Sequence, residues 1–207
     1  MCTSLTHHLF CVMSVLLSSI LVVPVGCFSQ AVQSSPVNFQ WLTTDPISPG
    51  RYYHTSTLLD DGSVFITGGR KGFTPTSTTR VYDPTAGQGR QWSNGPNMVE
   101  PRERHAAQKM PLGEVLVTGG INIVPTATAE MYDPGQHAFT ALPPMNDARY
   151  EHTMTLLPYL RVVVFGSKNY DKGLPSCEIL EPMDVAHSNL TPARWRWRRL
   201  PDMQYGR

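Results

Sequence analysis

The chain has little charge and few cysteines, and each shortage removes a class of function. Charged residues make up 16% of its 207 residues, against about 25% in a typical soluble protein. The formal net charge of +1 offers no field that would steer nucleic acid toward it. Three of the four cysteines, Cys2, Cys11 and Cys27, lie near the N-terminus, which leaves Cys177 alone. The sequence therefore holds no disulfide framework, and Cys177 is either a buried small side chain or one half of a bridge to another segment.

Catalytic motifs and long helices are also missing. The sequence contains no Gly-x-Ser-x-Gly, no His-Glu-x-x-His and no phosphate-binding loop. After residue 30, no stretch has the period of a long amphipathic helix. Instead, 18 prolines and 16 glycines punctuate many short apolar runs, which is typical of an extracellular all-β protein.

The N-terminal segment predicts export. Leu9 to Val25 is an uncharged apolar run, and small residues follow it at Gly26 to Ser29. We therefore predict a signal peptide over residues 1–29 and a secreted, extracellular protein. The alternative is an uncleaved membrane anchor over residues 9–25, although that run is shorter than the roughly 20 residues that a spanning helix needs.

The chain is built from a repeat. Arg-x-x-His begins at Arg51, Arg102 and Arg149, and each motif precedes a short apolar run that ends in glycine. Tyr-Asp-Pro or Leu-Glu-Pro, then a large aromatic residue, then methionine follow in the same order. A period of roughly 50 residues with glycine after a strand predicts a stacked or radial β architecture. It also predicts that the recurring histidines and glycines are structural: His54, His105, His152, Gly68, Gly69, Gly119, Gly120 and Gly166.

This order of marks resembles the kelch repeat, the four-stranded blade of a β-propeller, which also builds the central domain of galactose oxidase-like proteins. The resemblance covers residues 39–207. It implies an all-β, partial kelch-type β-propeller within residues 30–207, with three four-stranded antiparallel blades at about 51–98, 102–145 and 149–203. The third blade is expected to be irregular, because it has Tyr159-Leu160 in a turn and an insertion at about 184–194.

The two ends of the repeat region suggest an incomplete ring. Asn38–Thr43 reads as an orphan N-terminal outer strand, and Arg207 as the first residue of another Arg-x-x-His motif. Propellers need about four to eight blades to close. We therefore expect either a piece of a larger propeller or self-association through the open flanks of the blades.

The resemblance leaves two functions open. The first is a non-catalytic secreted protein that binds a protein or glycan ligand through loops on one face. The alternative is the N-terminal fragment of a galactose oxidase-like copper-radical enzyme, or of another carbohydrate-active propeller enzyme. Histidines that recur with the repeat do not form the clustered set that copper requires. We therefore predict no metal, no cofactor, no catalytic residue and no nucleic-acid partner, and membrane contact only if the N-terminal segment stays uncleaved.

The candidate binding residues lie in the connections that follow the second and fourth strands. These connections are expected to share one face, and they vary most between the repeats. Their polar and aromatic residues suit an interface, and the predicted contacts are Arg70, Lys71, Phe73, Lys168, Asn169, Tyr170 and Lys172. A separate candidate is Asn189, which begins a glycosylation sequon, although Pro192 directly after that sequon disfavours its use.

Overall fold

The computed structural model describes residues 42–169, 172–183 and 194–205. These residues form three four-stranded antiparallel sheets, each with a small two-stranded hairpin. The described ranges contain no helix, and hence none long and apolar enough to cross a membrane. The predicted partial propeller with three blades is confirmed. The predicted signal peptide and Asn189 lie outside the described residues. Most of the predicted outer strand Asn38–Thr43 also lies outside them, and its two described residues, Leu42 and Thr43, are not in a strand.

The strands of the blades follow one another in chain order. Blade 1 contains β1 Thr55–Leu58, β2 Val64–Thr67, β3 Arg70–Lys71, β4 Thr74–Pro75, β5 Thr79–Tyr82 and β6 Trp92–Asn94. Blade 2 contains β7 Ala106–Lys109, β8 Val115–Thr118, β9 Ile121–Asn122, β10 Val124–Pro125, β11 Ala129–Asp133 and β12 Ala138–Leu142. Blade 3 contains β13 Thr153–Leu157, β14 Arg161–Phe165, β15 Lys168–Asn169, β16 Lys172–Gly173, β17 Cys177–Pro182 and β18 Trp195–Leu200.

Each blade is an up-and-down sheet whose first strand lies innermost. The order in blade 1 is β1-β2-β5-β6, and blades 2 and 3 repeat it. Strand β7 lies beside both β1 and β13, so the first strands of neighbouring blades meet near the common axis. The small hairpins β3–β4, β9–β10 and β15–β16 project from the connection between the second and third large strands.

Apolar side chains fill the spaces between blades because neighbouring residues of a strand point to opposite sides. Between blades 1 and 2, Phe65 packs with Val115, Val117 and Tyr132. Between blades 2 and 3, Leu116 packs with Val162 and Leu180. Strand β8 therefore sends Val115 and Val117 to one neighbour and Leu116 to the other, as a sheet sandwiched between two sheets requires.

Glycine ends each second strand for a steric reason. Gly68, Gly119 and Gly166 have φ of 57°, 60° and 61°, a conformation that glycine adopts without cost. A Cβ atom on Gly119 would also lie 2.4 Å from the carbonyl oxygen of Arg149. The connection to the next blade thus passes directly over the end of the strand, and the predicted position of these glycines is confirmed.

The turn between β13 and β14 is unusual because it places two large residues in the left-handed region. Tyr159 and Leu160 have φ of 63° and 57°, where blades 1 and 2 have a glycine, Gly62 or Gly113, in the turn. Left-handed backbone costs an ordinary residue about 1–2 kcal/mol. Leu160 packs into the core between blades 2 and 3, whereas Tyr159 is 79% exposed.

Tyr159→Asn is therefore expected to raise the free energy of unfolding by about 0.5–1 kcal/mol, since asparagine tolerates this conformation better than tyrosine. Urea unfolding followed by tryptophan fluorescence measures the change. Tyr205→Asn is the control, because Tyr205 is also an exposed tyrosine but does not have a positive φ. A loss of stability in Tyr159→Asn would show that the turn is not strained.

Candidate binding face

One face of the structure carries the three small hairpins and the three Arg-x-x-His segments; we call this the hairpin face. Backbone bridges join each hairpin to the segment beside it, Tyr52 to Arg70 in blade 1 and Glu103 to Ile121 in blade 2. In blade 3 the hydroxyl of Ser167 makes the equivalent link, accepting from the backbone N–H of Tyr150 and donating to its carbonyl, both at 3.0 Å. The connections that follow the second and fourth large strands of a blade therefore share one face.

The tips of the hairpins expose apolar side chains. Phe73, at the tip of β3–β4, is 95% exposed, and Ile123, at the tip of β9–β10, is 92% exposed. Val124 beside it is half-exposed. Ile123 also has a φ of 67°, which is rare for a β-branched residue. The third tip, at residues 170 and 171, lies outside the described residues. Both described tips thus present a large apolar group to solvent at the equivalent place.

A second row of residues follows the inner edge of this face. The third residue of each Arg-x-x-His motif, Tyr53, Arg104 or Glu151, has a φ between 53° and 57°. The N–H of Arg104 donates to the carbonyl of Tyr53, and the N–H of Glu151 to that of Arg104, each at 2.9 Å. The Arg104 guanidinium lies 3.7 Å from the centre of the Tyr53 ring and pairs with the Glu151 carboxylate. Non-glycine residues in this conformation cluster at functional sites.

The arginine that begins each motif holds the hairpin face in place. Arg102 is fully buried and donates to the carbonyls of Gly119 at 2.7 Å and Thr128 at 3.2 Å. It also donates to the Glu130 carboxylate at 2.6 Å. Arg149 repeats the arrangement in blade 3 with Glu178 at 2.7 Å. Arg102 and Arg149 therefore each have an opposite charge beside them, which a buried ion pair needs.

Two of the repeated histidines lie between blades. The Nε2 atom of His105 is 2.9 Å from the Thr67 hydroxyl of the preceding blade, and that of His152 is 2.8 Å from the Thr118 hydroxyl. Burial, and then the charge of the nearby arginine, lowers the pKa of each to about 3. His54, in blade 1, is exposed. Among the described residues, no three His, Cys, Asp or Glu side chains lie close enough to hold a metal ion.

The structure divides the predicted binding residues. Phe73 is exposed as expected, and Lys71 is half-buried. Arg70 is engaged within the fold, because its Nε atom lies 2.5 Å from a carboxylate oxygen of Glu103, which is buried. Lys168, Asn169 and Lys172 lie in the third hairpin, and Tyr170 lies outside the described residues.

Sequence reasoning missed Ile123 and the row of Tyr53, Arg104 and Glu151. Two signals were present. The third residue of Arg-x-x-His changes from aromatic to basic to acidic while the arginine and histidine of the motif repeat. Ile123 occupies the connection that Phe73 occupies in blade 1. A position that varies within a constant frame is how a scaffold carries a specific site.

Comparison with known proteins supports the fold alone. No protein-family model matches the chain, and neither does any curated protein. Among solved structures, the chain resembles YjhT. The match has a TM-score of 0.63 and 13% sequence identity, and it covers 81% of this chain. It covers 57% of the YjhT chain, so the present sequence spans little more than half of that structure.

Proposed function

We propose that this protein is a secreted, kelch-type propeller that binds a protein partner through the hairpin face. The observation that carries the proposal is the exposure of Phe73 and Ile123 at equivalent hairpin tips, 95% and 92%. Large apolar side chains in such positions are characteristic of interaction sites when polar groups surround them. The Leu9–Val25 run supports export, and the repeated order of motifs supports the kelch assignment.

The arrangement of the face suits a protein partner. The hairpins are tied by backbone bridges to the segments beside them, so their tips are held in place before binding. Binding by a preorganised surface loses less conformational entropy than binding by a mobile loop. The apolar tips would contact the partner first, and the polar row of Tyr53, Arg104 and Glu151 lies inward of them.

Cross-linking from defined positions tests the proposal. A photoreactive phenylalanine analogue replaces Phe73 in one variant and Tyr159 in another, since Tyr159 is also exposed but lies in a turn at the opposite end of its blade. Adducts with exported proteins are expected from position 73 and not from position 159. The partner found in this way is then purified and titrated against the protein.

In that titration, Phe73→Ala and Ile123→Ala are each expected to weaken binding about tenfold or more, as residues at the centre of an interface do. Tyr159→Ala should leave the affinity unchanged, and circular dichroism should show that all three variants are folded. Full affinity in both tip variants, or adducts only from position 159, would reject the hairpin face as the binding surface.

A further inference from the structure

The three blades differ in charge at one position of the repeat. Strands β11 and β17 carry Glu130 and Glu178 near their start, and the matching residue of β5 is Arg80. In blade 2, Glu130 accepts hydrogen bonds from the backbone N–H groups of Val99 at 2.6 Å and Glu100 at 3.1 Å. The same carboxylate pairs with Arg102. At this position blades 2 and 3 therefore have a carboxylate that pairs with the buried arginine of the Arg-x-x-His motif, whereas blade 1 has a second arginine.

The backbone of blade 1 is adapted to this exchange. Arg80 donates to the carbonyl of Ser48 and to the side-chain oxygen of Asn94. Ser48 and Pro49 stand where blade 2 has Val99 and Glu100, and proline has no N–H that a carboxylate could accept. Arg80 therefore fits its surroundings, but it brings no negative charge to Arg51.

Arg51 is consequently the least satisfied of the three repeated arginines. It is 9% exposed and donates to the carbonyls of Gly68 at 3.0 Å and Thr78 at 2.9 Å. Its remaining bond, to the hydroxyl of Thr78, is long at 3.3 Å. The Nε atom is without a partner in all three arginines, so the missing carboxylate is what distinguishes Arg51. Arg102 and Arg149 each have a carboxylate within 2.7 Å.

A third cation adds to this charge. Lys71 lies in β3, two residues before the exposed Phe73, and the antiparallel bridge between Tyr52 and Arg70 places its backbone opposite that of Arg51. Burial, and then the charges of Arg51 and Arg80, lowers the pKa of Lys71. Burial and the charge of Arg80 likewise lower the pKa of Arg51. Within the described part of the chain, none of the three has a carboxylate as an ion-pair partner, whereas carboxylates pair with these other cations: Arg70, Arg102, Arg104, Lys109 and Arg149.

We propose that Arg51, Lys71 and Arg80 form a subsite that binds a carboxylate of the protein partner, supplied by an acidic side chain close to the group that contacts Phe73. The inference rests on the proposed function and names the chemistry of the partner. A guanidinium binds carboxylate and phosphate alike. Carboxylate is the choice here because the equivalent arginine in blades 2 and 3 already pairs with one.

A short acidic peptide tests this subsite without the partner. The probe is a fluorescent Glu-Glu-Leu-Glu-Glu peptide, with Gln-Gln-Leu-Gln-Gln as its uncharged counterpart, and fluorescence anisotropy at low salt reports binding. The acidic peptide should bind, and the uncharged peptide should bind at least about tenfold more weakly, because charged pairs dominate such contacts. Equal binding of both peptides would overturn the proposal.

Arg80→Glu is the decisive variant because it restores the carboxylate that blades 2 and 3 have. It should lower the affinity for the acidic peptide about tenfold or more, and circular dichroism should show that the variant is folded. Arg90→Glu makes the same change in net charge on the exposed connection between β5 and β6, and its affinity should stay within about twofold of wild type. If Arg80→Glu fails to fold, Lys71→Glu replaces it in the same measurement.

Three further results distinguish the carboxylate subsite from a phosphate site and test it independently of the apolar hairpin tips. Undiminished binding in Arg80→Glu or Lys71→Glu would overturn the subsite. Competition by inorganic phosphate as strong as that by glutarate would overturn the assignment to carboxylate. Loss of peptide binding in Arg80→Glu together with full partner affinity in Phe73→Ala and Ile123→Ala would support the subsite and reject the apolar tips, so the two proposals fail separately.

Discussion

Replacing Arg149 by methionine is expected to lower the free energy of unfolding by about 3–5 kcal/mol, the usual cost of breaking a buried ion pair from one side. Arg149 and Glu178 are both fully buried. The substitution removes the cation 2.7 Å from the Glu178 carboxylate and the donors that satisfy the carbonyls of Gly166 and Ser176. Urea unfolding at neutral pH measures the loss.

Blade 1 supplies the matched control for this experiment. Arg51→Met removes the same hydrogen bonds to backbone carbonyls, but blade 1 has Arg80 in place of the glutamate. No carboxylate is left alone, so Arg51→Met should cost less than half as much as Arg149→Met. The double variant Arg149→Met with Glu178→Gln should recover part of the loss, since it buries no charge. Equal losses of unfolding free energy in Arg51→Met and Arg149→Met would mean that breaking the ion pair does not cause the destabilisation.

Acidification from neutral pH is expected to destabilise the fold. His105 and His152 have pKa values lowered to about 3, first by burial and then by the charges of Arg102 and Arg149. In the unfolded chain each histidine takes up a proton near pH 6.5. The stability that these two histidines contribute is therefore complete above about pH 6.5 and is lost as the pH drops toward 3, because each of them binds a proton on unfolding within this window.

The expected loss at pH 5 is about 2 kcal/mol for each histidine, or about 4 kcal/mol in all. Urea unfolding between pH 7.5 and pH 5 measures it, and His105→Gln should remove about half of this loss. The control is His137→Asn, because His137 is exposed and has a φ of 52° that asparagine tolerates. A flat profile in the unmodified protein would show that the two histidines are accessible to protons in the folded state.

The blades could be predicted from the sequence because strand length, turn and glycine act together in each repeat. A short apolar strand that ends in glycine was expected after each Arg-x-x-His motif, and in blade 1 β2 occupies Val64–Thr67 directly before Gly68. Only glycine fits directly after β2, because the connection to the next blade crosses this position too closely to leave room for a Cβ atom. Such a steric requirement can be recognised in the sequence, because only one residue type meets it.

The binding face was harder to predict because its geometry depends on contacts between repeats. Two-residue strands such as β3 and β9 are too short to show a periodic pattern, so the hairpins were expected only as loops. Arg70 is of a residue type that suits an interface, yet its guanidinium forms an ion pair with the buried Glu103 carboxylate. The left-handed conformation of Tyr53, Arg104 and Glu151 has no signature in the identity of those residues.

The left-handed conformation at residues 53, 104 and 151 limits which residue types can be introduced there to create a new binding specificity. The backbone there is fixed by hydrogen bonds from one blade to the next, so the side chain can change without moving its neighbours. Proline is excluded at 104 and 151 because each of these residues donates its N–H, and β-branched residues are disfavoured by the positive φ. A library for engineering this face therefore needs only unbranched, aromatic and small polar residues, which makes it small enough to be sampled completely.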